Sequence, residues 1–343
     1  MSRPAPVMPH PLPRLRVEYV HGQDPAQLLA QPDVLAAFGF GDDAPRIDDP
    51  RWLRVPLQPH GATPIEVWHA HAPVRSGRDG EIAWSSDGAL LFGAIEVDEP
   101  AGHTGEGDHS GILLAAEHAY RQLTRFIEAG EHPHLLRIWN YLDAITLGDG
   151  DTERYRQFCI GRARGLGDFD TSRLPAATAI GRCDAARTIQ IYWLAARVPG
   201  TPVENPRQVS AYRYPRQHGP QAPSFARAML PPEGSPMPLM LSGTASIVGH
   251  ASLHEGELLA QLDETFTNFD ALIASARTRR PGLPGAFGAG SRLKVYVRDA
   301  EDLPIVADAL DARFGGDVPR VLLHAAICRR ELAVEIDGVH DLG

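Results

Sequence analysis

Cysteine, lysine and long apolar stretches are all scarce in this 343-residue chain. Its three cysteines, Cys159, Cys183 and Cys328, are an odd number without the spacing of a metal site, which predicts reduced thiols in a cytoplasmic protein. No apolar run approaches the ~18–20 residues that span a bilayer. The proline-rich start is unlike a secretory signal peptide. These absences argue against a disulfide-stabilised scaffold and against a membrane protein.

Familiar binding motifs are also missing. The sequence has no Walker loop, no dinucleotide-binding glycine fingerprint and no nucleophile elbow of the α/β-hydrolase type. The histidine pairs His69/His71 and His132/His134 lack further ligands at a plausible spacing. We therefore predict neither a metal nor a cofactor. The net charge of −10 argues against a nucleic-acid or anionic-membrane partner.

The basic residues are almost all arginine, and Lys294 is the only lysine. A GC-rich genome would produce this bias without any functional cause. Alternatively, guanidinium groups suit the recognition of carboxylates and phosphates, because they donate two parallel hydrogen bonds. Composition leaves both interpretations open.

The clearest positive signal is a strand–helix–strand pattern that occurs twice. Its two copies are the strands 90–97 and 239–249, the helices 111–129 and 257–276, and the strands 135–142 and 293–298. The repeat predicts an α+β (or α/β) protein with two similar lobes and a crevice between them. We place a proline-rich tail at residues 1–13, the N-terminal lobe at 14–170 and the C-terminal catalytic lobe at 171–343.

Residues 150–166 form a predicted helix that the repeat does not account for. Tyr155 and Arg162 are seven residues apart in it, which is two turns, so they share one face. Tyr212 to Tyr214 end a predicted strand at 209–214, and Arg227 follows in a loop, where functional side chains are common. Any single arginine of this set could equally be a solvated surface charge.

A final strand is predicted across residues 321–336. Its apolar positions 332, 334 and 336 alternate with Glu331, Glu335 and Asp337. An acid beside an apolar run can be partly desolvated, which raises its pKa as a proton donor requires. An edge strand with a wet acidic face fits the pattern equally well. Cys328 would face away from Glu335 in a regular strand, so joint action requires a bulge or bend.

Several stretches together resemble the chorismatase family, over nearly the whole chain after the first dozen residues. The matching stretches are residues 137–141, 153–158 with 161–162, 242–250, 294–298 and 327–336. The stretch from Ser242 to Ser246 alone would indicate only the wider YjgF-like superfamily. That superfamily forms trimers, and the resemblance implies two YjgF-like lobes in a pseudo-oligomeric, chorismatase-type fold. It also implies a monomer resembling a fused trimer, or a small homo-oligomer.

The resemblance implies a substrate and a set of site residues. The family cleaves chorismate, an enolpyruvyl ether with two carboxylates, and releases pyruvate. By resemblance, Glu335 is the acid that protonates the enolpyruvyl methylene. Tyr155, Arg162, Tyr214, Arg227 and, with less support, Arg298 match substrate-binding positions.

The product is not the same throughout the family. Some members hydrolyse the ether to a dihydroxycyclohexadiene acid, and others form 3-hydroxybenzoate, in one group together with 4-hydroxybenzoate. Cys328 resembles the cysteine of the hydroxybenzoate-forming members, and Gly243 lies in a segment whose small residue varies between subgroups. These two residues favour 3-hydroxybenzoate, with 4-hydroxybenzoate as a second product. A non-catalytic YjgF-like binding protein and an imine deaminase are the alternatives of other classes.

Overall fold

The computed structural model describes residues 12–102, 110–168 and 170–340. The strands are β1 Arg16–Val20, β2 Val34–Phe40, β3 Trp52–Val55, β4 Gln58–Pro59, β5 Ile65–His69, β6 Arg75–Asp79, β7 Ile82–Ser86, β8 Leu90–Asp98, β9 His134–Asp143, β10 Ala176–Arg182, β11 Thr188–Ala196, β12 Thr201–Val203, β13 Ala228–Leu230, β14 Leu239–Ala245, β15 Ile247–Val248, β16 Ala251–Ser252, β17 Arg292–Val297, β18 Arg320–His324 and β19 Val334–His340. The helices are α1 Pro25–Leu29, α2 Ser110–Ala129, α3 Arg154–Leu166, α4 Leu258–Arg277 and α5 Leu303–Phe314. The predicted tail at residues 1–13 falls almost wholly outside the described ranges.

Three larger sheets and one small hairpin contain these strands. The orders are β1-β5-β2-β3, β10-β9-β11-β8-β7-β6 and β12-β13-β14-β19-β17-β18-β4, with β15 and β16 forming the hairpin. Helix α2 lies on the six-stranded sheet and α3 packs against α2, whereas α4 and α5 lie on the seven-stranded sheet. The predicted α+β class and the repeated strand–helix–strand unit are therefore confirmed. Strands β10 and β11 follow residue 171 yet complete the six-stranded sheet, so sheet membership does not follow the predicted lobe boundary.

Helix α3 packs closely on α2 because two of its residues have no side chain. A Cβ on Gly161 would lie 2.2 Å from the Leu113 carbonyl oxygen, and one on Gly165 would lie 2.5 Å from the Tyr120 Cβ. Contact at this range needs glycine on the face of α3 that meets α2. The close packing fixes the position of α3 and with it Arg162, whose guanidinium lies 5.2 Å from the centre of the Tyr120 ring of α2.

A chain of buried polar side chains joins the three larger sheets. Lys294 of β17 pairs with Glu66 of β5 at 3.0 Å and donates to the Tyr192 hydroxyl at 3.2 Å. The Tyr141 hydroxyl lies 3.2 Å from the hydroxyls of Tyr192 and Tyr296. Tyr296 then donates to the Asp337 carboxylate at 2.9 Å. We call these residues, from Glu66 to Asp337, the buried polar chain. It satisfies polar groups that would otherwise be costly to bury.

Two predicted strands are wrong. Residues 209–214 do not form a strand, because the Arg213 and Tyr214 amides donate to the carbonyls of Ser210 and Ala211 in a short 3₁₀ turn. Residues 321–336 form not one strand but β18 and β19, separated by a partly buried loop at 325–333. The Arg298 guanidinium donates to the carbonyls of Ile327, Arg329 and Leu332 in that loop. These backbone groups therefore need no strand partner.

The wet edge-strand interpretation of residues 331–337 is also wrong. Strand β19 is hydrogen-bonded between β14 and β17, and all of its residues are buried. The predicted alternation does hold within it. Val334 and Ile336 join the apolar core around α4, whereas Glu335 and Asp337 interact with groups of the six-stranded sheet. A buried acid on a central strand needs a physical explanation, and this one borders a cavity.

Candidate active site

The cavity lies along the free edge of β10. Loop residues meet this edge at two places: Ala226 donates to the Pro175 carbonyl at 2.9 Å, and Ala326 and Gly181 exchange hydrogen bonds of 2.7 and 3.0 Å. The edge at Ala177–Ala179 lies between these bridges, and its Ala177 amide donates to the Ser242 hydroxyl at 2.9 Å. It borders a cavity of about 320 Å³ that α3, β14, β19 and the 325–333 loop also line. This volume is at the lower end of the usual range for small-molecule sites.

A bulge in β14 makes room for the acid at the cavity wall. Pairing with β19 shifts between Leu241 and Thr244, so β14 carries one extra residue there. The Gly243 amide donates to the Thr178 hydroxyl at 3.0 Å. A Cβ on Gly243 would lie 2.0 Å from Glu335 Oε1. The Glu335 carboxyl group therefore occupies space that any other residue at position 243 would fill.

Glu335 has the properties of a proton donor. Its side chain is 5% exposed, and burial, together with the charge of Asp337, raises its pKa from 4.5 to about 8. The guanidinium groups of Arg137, Arg227 and Arg329 act in the opposite direction and limit the rise. An acid with this pKa holds its proton at neutral pH and can give it to a weak base.

Two buried guanidinium groups face the same cavity. Arg162 donates to the Ser224 carbonyl at 2.7 Å, and Arg227 donates to the Tyr214 hydroxyl at 2.7 Å. Within the described ranges, no carboxylate oxygen lies within 4.0 Å of either guanidinium, and the Nε atom of each is buried without a partner. A buried cation without an anion is costly. The pair therefore suits a ligand that brings negative charge.

Aromatic rings and a thiol complete the wall. The Tyr155 ring stacks on Phe158 with centroids 6.2 Å apart, and burial raises the pKa of its hydroxyl. Burial and the charge of Glu335 raise the pKa of the Cys328 thiol well above its usual value. Cys328 is therefore a neutral thiol and not a thiolate at neutral pH. The break between β18 and β19 supplies the bend that Cys328 needs to share a cavity with Glu335.

Comparisons with known proteins agree with one another. Residues 66–195 match the family model described as chorismatase FkbO/Hyg5-like, N-terminal. A Streptomyces hygroscopicus protein named chorismatase is 38% identical over 80% of this chain and 78% of its own length. A 3-hydroxybenzoate synthase from the same species is 35% identical over 80% of each chain. A chorismatase crystal structure covers 96% of this chain and 98% of its own, at 34% identity and a TM-score of 0.79.

The chain belongs to the chorismatase family. The predicted family, a chorismatase-type fold and the assignment as an enzyme are thereby confirmed. The two alternatives from other classes, a non-catalytic binding protein and an imine deaminase, do not fit membership of this enzyme family.

In this chorismatase, all but one of the predicted site residues line the cavity. These are Tyr155, Arg162, Tyr214, Arg227, Gly243, Cys328 and Glu335. Arg298 is not among the lining residues, and its guanidinium holds the 325–333 loop through three carbonyls. Its contact with substrate stays a prediction, and the geometry gives it a supporting position behind Cys328.

Sequence reasoning missed several residues of the cavity. Arg329 lies beside Cys328 in the chain, and its position next to that residue was the available signal. Thr178 and His218 gave no signal, since neither belongs to a motif or a periodic pattern. His218 lies 3.1 Å from His250 through ring nitrogens, and burial beside Arg329 lowers its pKa to about 4. It therefore presents a neutral imidazole to the cavity.

Within residues 12–102, 110–168 and 170–340, no three His, Cys, Asp or Glu side chains are grouped as metal ligands would be. In the same ranges, no helix has the length and apolar character needed to cross a membrane.

Proposed function

We propose that this enzyme converts chorismate to 3-hydroxybenzoate and pyruvate, with 4-hydroxybenzoate as a second product. The observation that carries the proposal is the buried Glu335 carboxyl group, whose pKa is raised, in a cavity with two buried arginines that have no carboxylate partner among the described residues. One relative of similar identity is named a 3-hydroxybenzoate synthase, and others are named chorismatases. By resemblance, Cys328 corresponds to the cysteine of the hydroxybenzoate-forming members, and Gly243 lies in the segment whose small residue varies between subgroups.

Substrate binding uses the two arginines. Chorismate carries two carboxylates, and Arg162 and Arg227 each offer an unpartnered Nε–H together with further guanidinium donors. Tyr214 accepts from Arg227 and orients it, and Tyr155 provides an aromatic surface for the ring. The dianion neutralises buried positive charge, so binding removes an electrostatic penalty of the free enzyme. All of these groups come from one chain, so the proposed site needs no second subunit.

Bond cleavage begins with proton transfer from Glu335. The enolpyruvyl double bond supplies the electron pair for a new C–H bond at the methylene, which leaves positive charge on the ether-bearing carbon. An oxygen nucleophile adds there, and collapse of the adduct breaks the bond to the ether oxygen and releases pyruvate. Aromatisation further requires loss of one ring proton and one oxygen substituent as water. Hydroxybenzoate formation therefore consumes no net water, whereas hydrolysis consumes one molecule.

Incubation with chorismate and chromatography of the products tests the proposal. We expect pyruvate and 3-hydroxybenzoate in nearly equal amounts, with 4-hydroxybenzoate making up any difference. The dihydroxycyclohexadiene acid as the main product would show that the enzyme is a hydrolase and would overturn the proposed products. Absence of pyruvate would overturn the substrate as well. Chorismate incubated without enzyme corrects for its spontaneous breakdown.

Replacing Gly243 with alanine should slow pyruvate release. The added methyl group would lie 2.0 Å from Glu335 Oε1 and 3.3 Å from Thr178 Cγ2, so the carboxyl group must move. Misplacement of a reacting group on the order of 1 Å costs up to about a hundredfold, and we expect a loss of about tenfold or more. Steady-state pyruvate assays measure the rate, and chromatography measures any change in products.

Gly282→Ala is the matched control, because a Cβ there meets no atom within 4 Å and the backbone is not in the left-handed region. It should retain the parent's rate. An unchanged rate and product pattern in Gly243→Ala would show that the close approach to Glu335 has no role in turnover.

A further inference from the structure

A second buried carboxylate lies next to the acid. Asp337 is two residues after Glu335 on β19 and is completely buried. Its Oδ2 atom accepts hydrogen bonds from Thr178 at 2.7 Å, Tyr296 at 2.9 Å and Trp139 at 3.1 Å. The Arg137 guanidinium lies 3.1 Å from the same oxygen. One oxygen thus accepts three hydrogen bonds beside a cation, whereas Oδ1 is buried without a hydrogen-bond partner among the described residues.

Thr178 connects this carboxylate to the cavity wall. Its hydroxyl donates to Asp337, and it accepts from Arg137 and from the Gly243 amide. Thr178 and Gly243 both line the cavity next to Glu335. The position of Asp337 therefore determines where Thr178 and Gly243, the part of the cavity wall next to Glu335, lie. No residue of this network besides Gly243 has a role in the proposed reaction.

Asp337 and Arg137 act on Glu335 in opposite directions. The negative charge of Asp337 raises the pKa of Glu335, and the positive charge of Arg137 lowers it. Both charges are completely buried, so little solvent screens them. Arg227, Arg329, Tyr155 and Cys328 also act electrostatically with Glu335, and replacing Asp337 or Arg137 removes none of them.

We propose that Asp337 is a positioning residue for the reaction, which keeps Glu335 protonated through its buried negative charge and holds the Thr178–Gly243 wall against it. Arg137 is its counter-ion and limits the effect. The inference rests on the proposed function, since it concerns the same acid. It adds that the working state of Glu335 depends on a carboxylate that does not itself touch the substrate.

The test is the pH dependence of pyruvate release in Asp337→Asn and Arg137→Gln. In the parent, the rate should fall as pH rises through about 8, because Glu335 loses its proton there. We call the pH at which the rate falls to half its maximum the falling limb. It should lie about one pH unit lower in Asp337→Asn than in the parent, and higher than in the parent in Arg137→Gln. If Asp337 and Arg137 had a purely structural role, both variants would be slower but their rates would fall at the same pH.

The double variant protects the test against poor folding of a single variant. Asp337→Asn with Arg137→Gln removes both charges together, which avoids leaving one buried charge unpaired. Its limb should lie between those of the single variants. If Asp337→Asn does not fold, Arg137→Gln must still titrate at higher pH than the double variant. The inference would be overturned if Arg137→Gln and the double variant had falling limbs at the same pH. It would also be overturned if the falling limbs of both single variants shifted to higher pH, or both to lower pH, relative to the parent.

A readout without turnover separates this inference from the proposed function. Difference infrared spectra between the parent and Glu335→Gln should isolate the band of the protonated Glu335 carboxyl group. The pH at which that band disappears should be lower in Asp337→Asn than in the parent. A shifted band together with an active Glu335→Gln enzyme would overturn the proposed function and leave the charge effect. An inactive Glu335→Gln enzyme with an unshifted band would overturn only the inference.

Discussion

Replacing Glu335 with glutamine is expected to lower pyruvate release from chorismate by about 10²- to 10⁴-fold, the usual contribution of a general acid. The amide has the size of the protonated acid but no proton that it can give to the enolpyruvyl carbon. Binding should change little, because Arg162 and Arg227 are untouched. A coupled pyruvate assay at saturating chorismate measures the loss, and retention of near-normal turnover would remove Glu335 from the mechanism.

The same variant should be at least as stable as the parent at neutral pH. The pKa of Glu335 is raised in the folded state from 4.5 to about 8. The folded state therefore holds a proton that the unfolded chain releases, and the parent loses stability as pH rises from about 4.5 to about 8. Glutamine has no proton to lose, so its advantage should grow over that window. Urea unfolding at pH 5 and pH 8 measures the difference.

Glu331→Gln is the matched control for the chemical step. Glu331 is a second carboxyl group of the cavity lining, and it accepts from the Ser252 hydroxyl at 2.7 Å. Its side chain is only partly buried. We expect a loss smaller than tenfold, on the scale of a lost rim contact. Equal losses in the two variants would indicate a general electrostatic effect of negative charge in the cavity.

The repeated units could be predicted because their signal is local. Helices α2 and α4 match their predicted ranges to within one residue at each end, since their apolar positions recur at helical spacing. The error at 321–336 has the opposite cause. Ala325, Ile327 and Leu332 are buried like strand residues, yet the loop that holds them depends on Arg298, which is distant in sequence.

The site could be predicted only in part, for a similar reason. Glu335 could be predicted as a candidate acid because charged residues alternate with apolar ones along its strand. Asp337 belongs to the same alternation, but its partners could not be found this way, since Trp139 and Asp337 are 198 positions apart in the chain. Arg137 lay within a stretch that matched the family, but nothing in the sequence indicated that it pairs with Asp337. Contacts between side chains of different sheets can be identified only in the folded structure.

Replacing Lys294 with methionine should destabilise the protein by about 3–5 kcal/mol, because it leaves Glu66 as an uncompensated buried charge. The ammonium lies 3.0 Å from Glu66, and both side chains are 3% exposed. It also lies 4.8 Å from the centre of the Trp139 ring, within reach of a cation–π interaction. The only lysine of the chain thus begins the buried polar chain that joins the sheets. The midpoint of urea unfolding at neutral pH measures the loss.

Adding Glu66→Gln to Lys294→Met should restore most of that stability. The Trp68 indole donates to Glu66 Oε1 at 2.7 Å, and a glutamine oxygen can accept the same bond. Arg78→Met is the surface control, since Arg78 pairs with Asp48 at 3.0 Å with 53% and 96% exposure, and its loss should change stability by less than about 0.5 kcal/mol. If Lys294→Met and Arg78→Met unfold alike, the buried pair has no special structural role. If the double variant is no better than Lys294→Met, lost packing around the lysine stem, not unpaired charge, is the cause of the instability.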